Sequence, residues 1–319
     1  MTLAARGARR LAHLLLTLFG VSVLVLLMIR LVPGDAVAIM LGANAEVTPE
    51  RVAELRGRLG LDQPLVAQYA AWALGALRGE FGVSIWTGRP VAEEILAHLW
   101  PTLELTLLAL TLGAGLALPA GCLMAAARGR AADVALRVAA IAGLTVPSFW
   151  LGIVLILGVA TLAPGFASLG YVPFLDDPLG NLQRMALPAV SLALPIMAGL
   201  SRLVRSAMLD ALAQDFVRTA RAKGVSERRV VLRHGLGNAL IPFVTALGIS
   251  AGYLIGGAIV VEQVFAIPGL GRLILGAVAE RNYPLLQAAI LVVTAGFVLM
   301  NGLVDLAYGL LDPRIRGGA

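Results

Sequence analysis

The sequence predicts an all-α membrane protein with six transmembrane helices, both termini on the cytoplasmic side. Three observations predict it. Of 319 residues, 59% are hydrophobic and 14% charged, whereas a soluble domain keeps roughly a quarter of its residues charged. Six long apolar stretches run without an Asp, Glu, Lys or Arg. The basic residues gather in short connections on one side of those stretches. This apolar content excludes disorder, and the stretches lack the alternation of a β-barrel strand. A single cysteine, Cys122, excludes an internal disulfide. His13, His98 and His234 stand far apart, without metal-ligand spacing.

The stretches are Leu11–Ile29, Leu105–Ala127, Val138–Ala163, Met185–Leu200, Ala239–Val261 and Leu285–Val304. Most reach the length of about 17–25 residues that crosses a bilayer. Each central charge would cost about 2.5–3.5 kcal/mol, so their absence is informative. The first stretch follows Arg9 and Arg10, and Ala36-Val37-Ala38 mimics a signal-cleavage site. It exceeds the usual apolar core of a signal peptide, and Pro33-Gly34-Asp35 intervenes, so a retained helix is expected. In the third, Pro147, Ser148 and Trp150 mark a kink. The fourth is short, and Pro188 and Pro195 predict a kinked or irregular helix there.

Arginine placement sets the orientation. Arg6, Arg9 and Arg10 precede the first stretch, and Arg128, Arg130 and Arg137 join the second to the third. The fourth connection carries Arg202, Arg205, Arg218, Arg221, Lys223, Arg228, Arg229 and Arg233, and the tail holds Arg314 and Arg316. Sixteen of the 25 basic residues thus fall on one side, which the positive-inside rule makes cytoplasmic. The basic charge is a topology signal, and nucleic acid is not an expected partner.

The chain accordingly divides into a tail and first helix (1–32), an external helical insertion (33–100) and a five-helix core (101–319). In the insertion, Thr48-Pro49-Glu50 starts a short helix that Gly60 closes. Pro64 begins a second through Gln68, Tyr69 and Trp72, and Pro90 opens a third containing Glu93, Glu94 and Trp100. Two readings stand side by side: a packing element for the span ends, or a docking surface for an external partner.

The connection at about 202–237 is the most informative soluble piece. Nothing breaks a helix from Ser201 to Lys223; Gly224 can take a left-handed cap conformation, and Ser226 can cap a second helix. A rigid helical finger of this kind suits the transfer of conformational state between membrane helices and a cytoplasmic protein.

Phe216-Val217-Arg218-Thr219-Ala220-Arg221-Ala222-Lys223-Gly224, with Arg233-His234 and Asn238-Ala239-Leu240-Ile241-Pro242 beyond, resembles the cytoplasmic loop of ABC-importer permeases. Ala220, Gly224 and Leu236 match the general pattern of Glu-Ala-Ala, three residues, Gly, then Ile-x-Leu-Pro. Arg218 and Thr219 stand where it has Glu-Ala, His234 replaces Ile and Gly237 replaces Pro, departures typical of the dipeptide/oligopeptide/nickel branch. Leu31-Val32-Pro33-Gly34-Asp35, Leu59-Gly60-Leu61-Asp62-Gln63-Pro64, Phe81-Gly82-Val83-Ser84 and Pro101-Thr102-Leu103-Glu104-Leu105 are similar to that branch. So are Pro147-Ser148-Phe149-Trp150, Val261-Glu262, Pro268-Gly269-Leu270-Gly271-Arg272 and Asp312-Pro313-Arg314. The long insertion after the first helix resembles the B-type member of the permease pair.

The resemblance implies the type I importer permease fold in a bacterial inner membrane, a homologous second permease subunit, two cytoplasmic ATPase subunits and an extracytoplasmic substrate-binding protein. It implies a cargo of short peptides or a related solute, nickel included. It also implies that Asp215, Arg218, Thr219, Ala220, Ala222, Lys223, Gly224 and Val225 form the ATPase-coupling segment. ATP and Mg would sit on the partners, with no cofactor on this chain. The sequence agrees on one point: Lys223, its single lysine, is followed by Gly224-Val225, so no phosphate-binding G-x-x-x-x-G-K-[ST] loop occurs.

Gly248-Ile249-Ser250-Ala251-Gly252 imitates a serine-hydrolase elbow, but it lies mid-span and no histidine follows His234. Catalytic and metal-binding residues are not expected. Gly248, Gly252 and Gly256, four apart, offer a small-residue face for close helix packing. Ser148, Trp150, Ser250, Tyr253 and Asn301 are candidates for pathway lining or helix packing, with both readings open. The alternative to an importer subunit is a self-contained secondary transporter, which would show coupling residues deep in its spans.

Overall fold

A computed structural model of the chain describes residues 3–31, 50, 62–166 and 168–311. Pro33-Gly34-Asp35, Ala36-Val37-Ala38, the body of the helix expected to close at Gly60, Asp312-Pro313-Arg314 and Arg316 lie outside them. Helices account for almost all the described structure: α1 (Leu3–Leu31), α2 (Leu65–Leu77), α3 (Val91–Ala126), α4 (Ala131–Thr145), α5 (Ser148–Leu162) and α6 (Pro178–Leu212). They continue as α7 (Asp215–Ala222), α8 (Gly237–Gly257), α9 (Ile259–Val264), α10 (Leu270–Ala279) and α11 (Tyr283–Leu311).

Among the described residues, four helical segments are long and apolar enough to cross a membrane: Val91–Ala126, Pro178–Leu212, Glu227–Gly256 and Tyr283–Val304. The pair α4 and α5 makes a fifth if it is one broken span, and α1 holds the shorter apolar stretch Ala12–Met28. The expected third external helix and second span are one continuous helix, α3.

The two proline-bearing stretches turn out differently. Where a kink was expected in the third stretch, α4 and α5 meet at 99°. Val146 and Pro147 are both extended (ψ 120° and 133°), and the new helix starts on the Pro147 carbonyl, which accepts from Leu151 N–H at 3.0 Å. Proline disfavours helical backbone in the residue before it and supplies no N–H of its own, so the chain leaves the helix here. The fourth stretch goes the other way: α6 runs unbroken for 35 residues. Asp177 caps it by accepting Gly180 N–H at 3.0 Å, and Pro178 fits its first turn. Pro188 and Pro195 sit inside it, with Pro188 buried.

The chain falls into two compact units, residues 1–100 with 269–296, and 101–268 with 297–319. In the first, Val91 and Ile95 of α3 pack with Leu270 and Ala277 of α10 and with Leu285, Ala288 and Ala289 of α11. The loop before α3 is tied down by polar contacts: Asn282 donates to Ser84 Oγ at 2.8 Å, Ile85 N–H to Asn282 Oδ1 at 3.3 Å, and Trp86 Nε1 to the Glu280 carbonyl at 2.8 Å. Helix α2 rests on α1 through the Phe19–Tyr69 ring contact and a 2.8 Å bond between Ser22 Oγ and Tyr69 OH.

The second unit has two apolar cores. One joins Leu105 and Ala109 to Met185, Ala189 and Leu192 of α6 and to Leu254, Val261, Phe265 and Ile267. The other joins Ala117 and Ala125 to Leu200, Val204 and Met208 of α6 and to Ala239 and Phe243 of α8. Helix α6 therefore contributes to both cores and forms the spine of this unit.

Candidate functional site

The segment that leaves α6 was expected to continue as one helix to Lys223. It breaks instead at Ala213–Gln214, where Gln214 is extended (ψ 152°). Helix α7 then restarts on the Gln214 carbonyl, which accepts Val217 N–H at 3.0 Å. The redirected helix buries Val217 completely while leaving Asp215, Arg218, Thr219, Ala222 and Lys223 exposed. Neither Ala213 nor Gln214 disfavours helix, so apolar burial decides this break.

The turn after α7 matches its expectation in detail. Gly224 has φ +77°, a left-handed conformation that costs an L side chain roughly 1–2 kcal/mol. Its N–H donates to the Arg221 carbonyl at 2.9 Å, and Val225 N–H donates to the Ala220 carbonyl at 3.1 Å. These two bonds close the helix end as a Schellman motif. Ser226 occupies the start of the next helical turn, Glu227–Arg229, but makes no side-chain cap, contrary to expectation. Arg221 orders that start instead, donating from Nε and an NH2 nitrogen to the two Glu227 carboxylate oxygens at 3.0 and 2.7 Å. This pair raises the pKa of Arg221. It spans the Gly224 turn and is open to solvent, so it fixes geometry more than it stabilises.

From Val230 to Leu236 the backbone is π-helical before it becomes α8. Val230 and Gly235 are buried in this segment, Gly235 against Leu212 and Met208 of α6. His234 meets the ring of Phe216 from α7 edge-on, with centroids 5.9 Å apart. The finger is thus two helical arms joined by a closed glycine turn, with its base seated on the end of α6. Π-helical turns are rare and concentrate at functional positions.

The other residues singled out by sequence sit elsewhere. Gly248 and Gly252 face α11: a Cβ on Gly248 would overlap the Val304 side chain, and one on Gly252 would overlap the Phe297 ring. Gly256 is half-buried on the same helix. Ser250 Oγ donates back to the Ala246 carbonyl at 2.8 Å inside an intact helix, which is no nucleophile elbow. Tyr253 is 70% exposed and touches the Phe297 ring edge-on at 6.4 Å. Asn301 is half-buried on α11, four residues beyond Phe297. Ser148 starts α5 and Trp150 is exposed on it, while the buried contact of that helix is Gly152 against Phe265 and Ser191. The structure therefore brings Gly248, Gly252 and Tyr253 together with α11, and places Ser148 and Trp150 on a separate helix.

Sequence reasoning missed the long-range polar pairs. Thr102 donates to the buried Glu262 at 2.6 Å, and Tyr171 donates to Glu104 at 2.9 Å. Burial, then the neighbouring Glu104 carboxylate, raise the Tyr171 pKa. Asp133, 1% exposed, takes a bidentate bond from Arg205 72 residues away, at 2.8 and 2.9 Å. Nothing in local spacing announces such partners. Among the described residues, no group of His, Cys, Asp and Glu could hold a metal ion.

Residues 117–317 match the family described as binding-protein-dependent transport system inner membrane component, and residues 7–106 match its N-terminal family. Over 309 residues, 97% of each chain, the sequence is 41% identical to the glutathione transport system permease protein GsiC of Escherichia coli. It is 38% identical over 308 residues to a probable peptide ABC transporter permease protein, y4tP, of Sinorhizobium fredii, covering 97% of this chain and 98% of that one. In fold it is similar to a chain of the MetNI methionine ABC transporter solved in inward-facing conformations. That match has a TM-score of 0.55 at 19% identity and covers 68% of this chain and 96% of the other.

Proposed function

The chain belongs to the family of binding-protein-dependent transport system inner membrane components, and from that premise we propose that it forms half of the pathway by which a bacterial importer admits short peptides. It is a multi-pass inner-membrane permease subunit without catalytic chemistry of its own, and nucleotide is bound by partner ATPases in such systems. Membership of the family favours this reading over a self-contained secondary transporter. The peptide cargo is supported by the names of the relatives matched over nearly the full chain.

The proposed assembly contains a homologous second permease subunit, two ATPase subunits carrying ATP and Mg, and an extracytoplasmic binding protein. In it, the finger from Asp215 to Val225 seats on an ATPase subunit. The observation that carries this role is the Gly224 turn, closed by its own hydrogen bonds and presenting exposed Arg218, Thr219, Ala222 and Lys223. A finger with a fixed tip transmits a push; a floppy loop absorbs it. The π-helical base and its contacts with α6 then pass displacement to the membrane helices. Ser148, Trp150, Ser250, Tyr253 and Asn301 line the pathway in this reading, while Gly248, Gly252 and Gly256 set the approach of α8 to α11.

Gly224→Val tests the coupling role. Valine disfavours φ +77° strongly, so peptide uptake in whole cells is expected to fall by about tenfold or more. Membrane insertion, read by protease protection, should be unchanged. Normal uptake by a fully inserted variant overturns the role. Cargo is tested separately, by comparing uptake of labelled glutathione, dipeptides and nickel in cells with and without the chain. Uptake of nickel alone would overturn the peptide reading and leave the coupling reading intact.

A further inference from the structure

A cavity of about 570 Å³ opens between α4 and α6, with Arg137, Ile141, Arg202, Leu203, Arg205 and Ser206 in its wall. Three guanidinium groups therefore share one small space. A single carboxylate, Asp133, answers them. Its two oxygens take the bidentate bond from Arg205, one also accepts Gly129 N–H at 3.0 Å, and Arg137 Nε lies 3.3 Å from the other. Arg202 has no carboxylate partner among the described residues. The cavity thus keeps an excess of about two positive charges, a repulsion that an anion relieves.

The donors are arranged for an oxyanion. Arg202 and Arg205, three apart on α6, share a face with Ser206, and Arg137 faces them from α4. Asp133 fixes Arg205 in one rotamer, so one fork is already oriented. Guanidinium forks bind phosphate oxygens in pairs. Beside the cavity, α4 presents Val134, Val138, Ile141 and Leu144 on one exposed face, and Ile141 belongs to the cavity wall as well. A free anion has no use for that apolar stripe. A molecule with a phosphate at one end and hydrocarbon at the other uses both.

We propose that this cavity binds the phosphate of an anionic glycerophospholipid. Arg202, Arg137 and Ser206 hold the phosphate oxygens, Arg205 is the positioned support, and an acyl chain follows the α4 stripe. The site lies at the end of the bundle that carries the arginine-rich connections, the end where basic pockets between helices meet anionic headgroups.

Arg202→Gln tests this without disturbing the Asp133–Arg205 pair. The full chain, with whatever subunits accompany it, is placed in nanodiscs of phosphatidylethanolamine containing phosphatidylglycerol, then released for native mass spectrometry. Wild type is expected to retain phosphatidylglycerol in preference to phosphatidylethanolamine, and the variant to retain about fivefold less. Millimolar inorganic phosphate should leave the retained lipid in place. Equal retention by the two proteins overturns the proposal, and so does displacement by inorganic phosphate, which would mark a site for soluble anions. A second variant, Ile141→Asp, sets a carboxylate in the wall while leaving every arginine; it too should lose the lipid, and normal retention there counts against the site.

Discussion

Helix α6 and the pair α4–α5 both contain prolines, and they respond to them in opposite ways. One proline with its neighbour turns α4 into α5 through 99°, whereas two prolines leave α6 a single helix of 35 residues. The difference lies in what surrounds them. Thirteen residues of α6 are buried, and six of them (Met185, Ala189 and Leu192 in one core, Leu200, Val204 and Met208 in the other) tie the helix to two separate cores, so a sharp bend would have to open one core or the other. Helix α5 buries Gly152 alone, and α4 buries Asp133, Ala140 and Gly143. Where little packing opposes it, the local chemistry of Val146-Pro147 decides the backbone. Where packing is dense, the lost helical bonds at the Arg184 and Ser191 carbonyls are tolerated. A proline thus carries a local preference that burial can overrule.

The comparison breaks most visibly if the packing that holds α6 is attacked. A Cβ on Gly121 of α3 would lie 2.6 Å from Val204 Cβ and 2.8 Å from the Ser201 carbonyl, both on α6. Gly121→Val is expected to destabilise the unit by about 3 kcal/mol, read as an earlier thermal transition in detergent. An unchanged transition would mean that α6 does not owe its continuity to this neighbour. Pro147→Ala probes the other arm. Restoring an N–H and freeing Val146 should open the bend, lengthening the distance between spin labels at Val134 and Leu157, while stability moves by less than about 1 kcal/mol. A constant distance would show that burial of Gly152, not proline, sets the angle. The smallest effect is expected at Pro188→Ala. The label distance along α6 should stay the same and the thermal transition should shift by less than the equivalent of about 1 kcal/mol.

The same distinction explains what the sequence could reveal. Element starts with strong local chemistry were legible: Pro64 before α2, Pro90 before α3, and above all Gly224, where a left-handed turn requires glycine. The break at Ala213–Gln214 was not, because both residues favour helix and the bend serves the burial of Val217. The π-helical stretch Val230–Leu236 has no composition that distinguishes it from an ordinary helix. Asp133 and Arg205 read as one acid and one base in different arginine-rich connections; their pairing exists only once α4 lies on α6. Apolar length and arginine bias revealed the class of protein, and the motifs around Gly224 revealed its family. Long-range partners needed the fold.

The closed tip of the finger has a further consequence, which concerns association rather than shape. Val225 N–H and Gly224 N–H already have their acceptors, and Arg221 already holds Glu227, with no second chain involved. Backbone that is already ordered gives up little freedom when it meets another surface, and each residue so fixed spares about 1–2 kcal/mol of ordering. A small contact can therefore hold the tip firmly enough to be pulled as well as pushed, and can release it without unfolding anything.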